Sequence, residues 1–210
     1  MESCIFCDKE KIKADIVHET ENFHVKVGFG LYAPGQVMLI PKAHYGCFGD
    51  IPPSFDEEHS RIHNLLIRTI SNHFSSPFEI EMGLWGQSVH HAHTHYVPSK
   101  GPEYEIKDII EEMVKSGDRV INYEETDRAG LREIYAREGA YVSIEQRGKL
   151  YVCHVSAMTF DPENPDPQIT LRGFFPKIGV IGVSGWRNLS PEDKKRDEAR
   201  RDLTKRVLTF

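Results

Sequence analysis

The chain has 210 residues, 39% of them apolar, and a formal charge of −6 from 32 acidic and 26 basic side chains. That length suits one domain with an appendage, or two small ones, with a real buried core. The acidic balance excludes a nonspecific nucleic-acid binder, which needs a basic surface to displace counterions. No run reaches the roughly 18 to 20 apolar residues of a membrane span, and Met1-Glu2-Ser3-Cys4 has neither a basic n-region nor an apolar h-region, so a soluble cytoplasmic protein is expected. Four cysteines with one Cys4-x-x-Cys7 pair fit a metal site better than a disulfide framework; Cys47 and Cys153 stand alone.

The first ten residues are short and polar around the Cys4/Cys7 pair. Residues 16–20 and 23–27 read as a hairpin turning at Glu21-Asn22, and Gly28, Gly30 and Pro34-Gly35 punctuate the loop that follows. Val37-Met38-Leu39-Ile40-Pro41 is a continuous apolar strand, expected to be buried on both faces. Pro52-Pro53-Ser54 opens a helix in which Phe55, His59, Ile62, Leu65, Leu66 and Ile70 recur with helical spacing up to about His73, the pattern of a helix that covers a sheet. A strand over 78–84, a break at Gly86 and a strand over 89–97 complete a β-β-β-α-β-β unit of α+β class over residues 1–100.

A C-terminal extension of mixed α/β character, residues 101–210, is expected to pack on that unit. It holds an amphipathic helix over 106–115 and a hairpin of 141–144 with 150–155 around Arg147-Gly148. A proline-rich loop over 161–167 comes next, then a helix opening within 169–175 and ended by Gly179 and Gly182. Ser190-Pro191-Glu192 starts a strongly charged last helix through Lys205.

Within the strand expected over 89–97, His91, His93 and His95 alternate, so a strand projects all three from one face. Imidazole has its ordinary pKa nearest neutrality and serves as nucleophile, proton carrier or metal ligand. Three in alternation, closed by Pro98, point to chemistry rather than packing. His90 faces the other way, and His18, His24, His59, His63, His73 and His154 have no such spacing.

These residues resemble the histidine-triad family of nucleotide hydrolases and transferases. The likeness rests on Gly86-Gln87-Ser88-Val89-x-His91-x-His93-x-His95-x-Val97-Pro98, on Ala33-Pro34-Gly35-x-Val37-x-Leu39-Ile40-Pro41-Lys42-x-His44, and on Cys4-Ile5-Phe6-Cys7, in that family's order over residues 4–98. It implies an antiparallel sheet of about five strands with a covering helix, and an attack by His93 on the α-phosphate of a nucleotide, through a nucleotidyl-histidine that water then hydrolyses. His95 would donate to the phosphate oxygens, and Ser88 and Gln87 would hold the phosphate or the leaving group. Cys4, Cys7, His44 and His91 match the ligands of zinc-bearing members, two sulfurs and two imidazoles that suit a closed tetrahedral structural Zn²⁺. Phe6, Val25 and Val27 would form the base pocket, and a homodimer through the helix and an adjoining strand is implied.

The substrate class implied is a purine nucleotide conjugate, a dinucleoside polyphosphate or an adenosine phosphoramidate. A nucleotidyltransferase or phosphorylase is the alternative, against which His95 stands where phosphorolytic relatives often carry Gln. A zinc-stabilised nucleotide-binding module without catalysis is a third reading, and one metal ion held by His91, His93 and His95 a fourth. Two positions depart from the family pattern: Gly28 stands where many members carry an acid or Asn for the ribose hydroxyls, and Gln36 replaces the histidine of Pro-Gly-His. Residues 141–187 resemble an extension found in a subset of members, from which Arg172, Lys177 or Arg187 would reach the phosphate.

Overall fold

Strand alternation and tight turns bring the first three strands together as a meander: β1 (Ile16–Glu19), β2 (Phe23–Val27) and β3 (Val37–Pro41). The computed structural model describes residues 4–85, 87–99, 105–115, 120–155 and 189–208. β2 and β3 pair along their whole length, from Phe23 opposite Pro41 to Val27 opposite Val37. Both strands are buried throughout, which is why Val37 to Pro41 reads as an unbroken apolar run. Between them Gly35 takes a φ of +88°, and the Phe74 ring packs 2.4 Å from where a Cβ would stand, so that turn accepts no side chain.

A short helix α1 (Lys9–Ile12) precedes the meander, and the long helix α2 (Asp56–His73) follows it. Three acids in the first turn of α2, Asp56, Glu57 and Glu58, complement its N-terminal dipole. Ile62, Leu66 and Ile70, one stripe at four-residue spacing, pack on Phe23, Val25, Val27, Leu39 and Tyr96 to make the larger core. β4 (Pro77–Glu81) and β5 (Thr94–Pro98) then complete the five-stranded unit.

The extension continues this same sheet. It contributes α3 (Ile106–Lys115), β6 (Val120–Thr126), α4 (Arg128–Glu138), β7 (Val142–Gln146), β8 (Lys149–Val155) and α5 (Pro191–Val207). Among the described residues the strand order is β1-β2-β3-β5-β4-β7-β8-β6, eight strands where about five were expected, each antiparallel to its neighbours. β7 occupies the free edge of β4, pairing Ile80 with Ile144. Dimerisation by edge pairing at β4 would therefore require this hairpin to move. The two outer strands, β1 and β6, each carry a register irregularity, at Ile16/His18 and at Val120/Asn122. Ile106 and Ile110 of α3 cover a second core on the opposite face from α2, built on Phe78, Ile80, Val97, Val142 and Ile144. Among the described residues no helix is long and apolar enough to cross a membrane.

Three of these elements went unread in the sequence, α1, β6 and α4, and two boundaries move: the strand expected over 78–84 ends at Glu81, and the histidine strand starts late. The histidine strand begins at Thr94, not at residue 89, so only His95 of the three lies on it. The β3–β5 ladder runs from Val37/Tyr96 to Leu39/Thr94 and ends there. Near its end Pro41 has no N–H to offer, and its carbonyl oxygen accepts from His91 Nε2 at 2.7 Å. The proline-rich loop over 161–167, the helix over 169–182, and Arg172, Lys177 and Arg187 lie outside the described residues.

The β4–β7 seam is polar on the α2 side. Glu79 faces Glu145 across it, and His63 bridges them, Nδ1 3.0 Å from Glu79 and Nε2 3.8 Å from Glu145. Arg128 stands 3.9 Å from Glu145 and donates to His59 at 3.0 Å, placing a guanidinium beside this seam. One strand position along, buried Glu81 accepts from Phe48 N and from Tyr141 Oη, both at 2.6 Å. Burial pushes its carboxyl up to about 7. A carboxyl raised in the fold contributes its full stability below the unfolded value near 4.5 and loses it as pH rises through about 7. Glu81→Gln, which cannot ionise, is therefore expected to gain about 3 kcal/mol on the wild type between pH 4.5 and 8. Urea denaturation of both proteins across that range measures it, and parallel curves would refute it.

Candidate functional site

Each of the three histidines has one ring nitrogen committed, and the commitments differ. His91, fully buried, donates from Nε2 to the Pro41 carbonyl, which leaves the Nδ1 lone pair facing the N-terminal cysteines. His93, 6% exposed, does the reverse: Nδ1 donates to the His91 carbonyl at 2.7 Å, so Nε2 presents its lone pair. His95 is bonded at Nδ1 by Gln36 Nε2, 3.4 Å away. The rings of His93 and His95 lie 5.2 Å apart.

Burial keeps all of them neutral near pH 7. It pushes His91 down to about 4 and His95 down to about 3, the latter helped by neighbouring His93, and it lowers His93 against the opposing bond to the His91 carbonyl. A neutral imidazole with one nitrogen tied is oriented and has an available lone pair on the other, which is what an attacking group or a metal ligand needs.

The second cluster joins the chain's start to this segment. Cys4 Sγ lies 3.4 Å and Cys7 Sγ 3.5 Å from His91 Nδ1, and Cys7 Sγ lies 3.3 Å from His44 Nδ1. All four ligand atoms fall within 4.8 Å of one another. Sulfur and imidazole ligands at ordinary zinc distances, about 2.3 and 2.0–2.1 Å, would sit about 3.6 Å apart in a tetrahedron, so the donor set fits. The tie from His91 Nε2 to Pro41 is the outer hydrogen bond that orients a ligating histidine. Burial, with Cys4 alongside, pushes the Cys7 thiol up, as expected of paired sulfurs without a cation. Phe6, between the cysteines, packs edge-on against His91 and His93 with centroids 5.7 and 5.5 Å away.

The other residues singled out in the sequence divide. Gln87 is 1% exposed and donates from Nε2 to the Gly46 carbonyl at 3.1 Å, while its Oε1 is buried without a partner among the described residues. Ser88 is exposed. Val25 and Val27 lie at 0% exposure in the core beneath α2 and offer a ligand no surface. The alternating residues of β2, His24 and Lys26, face the histidines' side, and Lys26 is cross-strand from Met38, which is cross-strand from His95. Gly28 is buried, with Met38 3.4 Å from where its Cβ would stand, and offers no side chain to a ligand. The bond from Gln36 to His95 was not foreseen; Gln36 stood out in the sequence only as a departure from the family pattern.

Comparison with known proteins points to the same family as the motifs. Residues 9–101, a little under half of the chain, match the family model of the HIT domain. No curated protein matches the chain. Among solved structures, a histidine triad protein from Clostridium difficile is 29% identical, the match covering 50% of this chain and 98% of that one with a TM-score of 0.40. A zinc-bound histidine triad family protein from Mycobacterium smegmatis is 26% identical over 48% of this chain and 78% of that one, TM-score 0.43. A HIT family hydrolase from Clostridium thermocellum is 24% identical over 50% and 98%, TM-score 0.41. From the motifs and the family match together, residues 9–101 are a HIT domain, the domain of the histidine-triad family, and the chain carries a C-terminal extension beyond it.

Proposed function

We propose that the chain is a nucleotide hydrolase that cleaves a phosphoanhydride or phosphoramidate bond at the α-phosphorus of a purine nucleotide conjugate through His93. The observation that carries the reading is the committed Nδ1 of His93: with that nitrogen donating to the His91 carbonyl, the Nε2 lone pair is left beside His95. In the first step His93 Nε2 bonds to the α-phosphorus and the bond from phosphorus to the leaving group breaks, the leaving oxygen departing as an anion or the leaving nitrogen as an amine with a proton taken from solvent. Water then attacks phosphorus, the phosphorus–Nε2 bond breaks, and the mononucleotide leaves while the proton of the attacking water passes to solvent. Two displacements replace one harder step. His95, donating from its free nitrogen, stabilises the charge that builds on the phosphoryl oxygens, with Gln87 and Ser88 holding the phosphate or leaving-group side.

Cys4, Cys7, His44 and His91 would hold Zn²⁺, which with four protein ligands has a structural role and fixes the N-terminal turn against the site. The nucleoside would lie toward Phe6. Val25 and Val27, being core, are left out of this reading. Free cysteines throughout the described chain support the expectation of a reducing compartment, the cytoplasm. For the implied homodimer, the β4 edge gives no support, since β7 already fills it.

The test is brief mixing with adenosine 5′-phosphoramidate or a diadenosine polyphosphate, quenching without acid, and intact-mass analysis. The expected result is a nucleotidyl adduct, or released AMP, with the wild type and neither with His93→Gly. Binding without turnover would reduce the chain to a nucleotide-binding module, and absence of binding would overturn the nucleotide reading. Faster AMP-transfer to added phosphate than to water would favour the phosphorylase alternative.

A further inference from the structure

Gln36 is 3% exposed and its amide has no freedom to flip. Tyr32 N donates to its Oε1 at 2.8 Å, and a backbone N–H can meet only an oxygen there. The NH₂ end must then face His95 Nδ1, 3.4 Å away. An amide NH₂ donates and does not accept, so Nδ1 must carry a lone pair and the His95 proton must sit on Nε2.

The loop that carries Gln36 is itself held by the last helix of the chain. Leu31 N donates to Asp197 Oδ1 at 2.7 Å, Arg200 donates to Leu31 O at 2.7 Å, and Gly35 N donates to Thr204 Oγ1 at 2.8 Å. Thr204 gives its own proton to the Arg200 carbonyl, so its oxygen is free to accept from Gly35. Asp197 and Thr204 are 3% and 0% exposed, although α5 is otherwise among the most polar segments of the chain. The helix is thus docked on this loop by buried, directed hydrogen bonds, the kind of contact that sets a position rather than merely covering a surface.

We propose that Gln36 is a positioning residue that fixes His95 as its Nε2–H tautomer, and that α5 holds the 31–35 loop so that Gln36 can do so. The proposal rests on the hydrolase reading for its kinetic consequence only. With the proton on Nε2, His95 presents a donor where the phosphoryl oxygens gather charge; with the proton on Nδ1, it presents a lone pair that repels them.

Long-range ¹H–¹⁵N correlation spectra of the full chain, with His95 assigned by substitution, read the tautomer without any substrate. A single Nε2–H form is expected in the wild type. Gln36→Glu keeps the shape and the Tyr32 contact but replaces the donor by an acceptor, so the proton should move to Nδ1 and kcat should fall by about 10² with KM little changed, the size of effect seen when one transition-state donor is lost. Gln36→Leu should give a mixture of tautomers. Thr204→Val, isosteric but unable to accept from Gly35, should shift the same populations in the same direction and lower kcat several-fold, provided its spectrum shows a folded protein. An Nδ1–H wild type, or a tautomer unmoved by Gln36→Glu, overturns the assignment to Gln36. A tautomer unmoved by Thr204→Val overturns the role of α5. Should the wild type hydrolyse no nucleotide, the hydrolase reading fails while the spectra still decide this one; a moved tautomer with unchanged turnover overturns its kinetic half.

Discussion

Replacing His93 by glycine is expected to lower kcat by at least about 10⁴-fold while the affinity for AMP changes by less than about threefold. The two numbers separate because the ring does different things before and after attack. In the ground state the His93 ring contributes one neutral nitrogen to a site where His95, Gln87, Ser88 and Phe6 remain. In the transition state it is one of the two apical groups, entering and leaving, on phosphorus, and no neighbouring side chain can take its place: His95 carries a hydrogen bond from Gln36 on one nitrogen, and both nitrogens of His91 face away, to Pro41 and to the cysteines. Steady-state kinetics on an adenosine phosphoramidate with calorimetric titration of AMP measure both quantities. A His93→Gly protein retaining a tenth of wild-type kcat would dispose of the covalent route. His95→Ala should sit between the two, about 10²- to 10³-fold down, since it removes a donor and not a bond.

Withdrawal of zinc gives the second large effect, and it acts on stability. The protein as isolated should hold about one zinc per chain, and chelation should lower the melting temperature by roughly 10 °C. At a free metal concentration of 100 to 1,000 times Kd, binding contributes about 3 to 4 kcal/mol, and each kcal/mol moves a chain of this size by about 2 to 4 °C. The effect reaches the site through Phe6. That residue stands between the two sulfur donors, and its ring lies edge-on to both His91 and His93. With the sulfurs released, the turn is left to the small cluster built on Phe6, Ile12, Met38 and Ile40, with Ile16 and Val89 packed against it. Cys7→Ser should reproduce the loss and be insensitive to chelator. Elemental analysis showing no zinc in protein made with zinc supplied, or a melting curve indifferent to chelation, would remove the metal from the account.

The elements that were legible announce themselves twice. Val37 to Pro41 is apolar throughout and is buried throughout; α2 has its stripe and its acidic first turn; the Arg147-Gly148 turn, with φ of +52° and +75°, is the tight hairpin its sequence suggests. The four residues Cys4, Cys7, His44 and His91, gathered by likeness to a family, are brought within one ligand shell. Alternation gave the right neighbours for a partly wrong reason: His93 and His95 do adjoin, yet His93 precedes the strand and is oriented by a carbonyl two residues back. Val25 and Val27 were misplaced by a matter of parity, since on a strand the odd residues of β2 must face α2 if Phe23 does. In the second half, α4 carried its signals, Asp127 capping Gly130 N and Gly139 ending the helix, but its weak amphipathicity hid it. β6 alternates too little to stand out. The contacts of Gln36 and its loop could not be read at all, because Gln36 meets residues 32 and 95 while neighbouring Gly35 is held by a helix more than 150 positions away.

A row of backbone groups left open at a sheet's edge is an invitation to further strands, and a flat one can nucleate fibrils. Here the growth stops at both ends. β1 is only four residues long and kinks at Ile16/His18, and β6 kinks at Val120/Asn122 and carries the exposed Glu124 and Glu125. A bulge twists an edge out of register with any incoming strand, and charge makes the pairing of identical copies repulsive. By filling β4 with its own hairpin and finishing on such a strand, the chain exchanges a smooth edge for an irregular one, which disfavours templated aggregation.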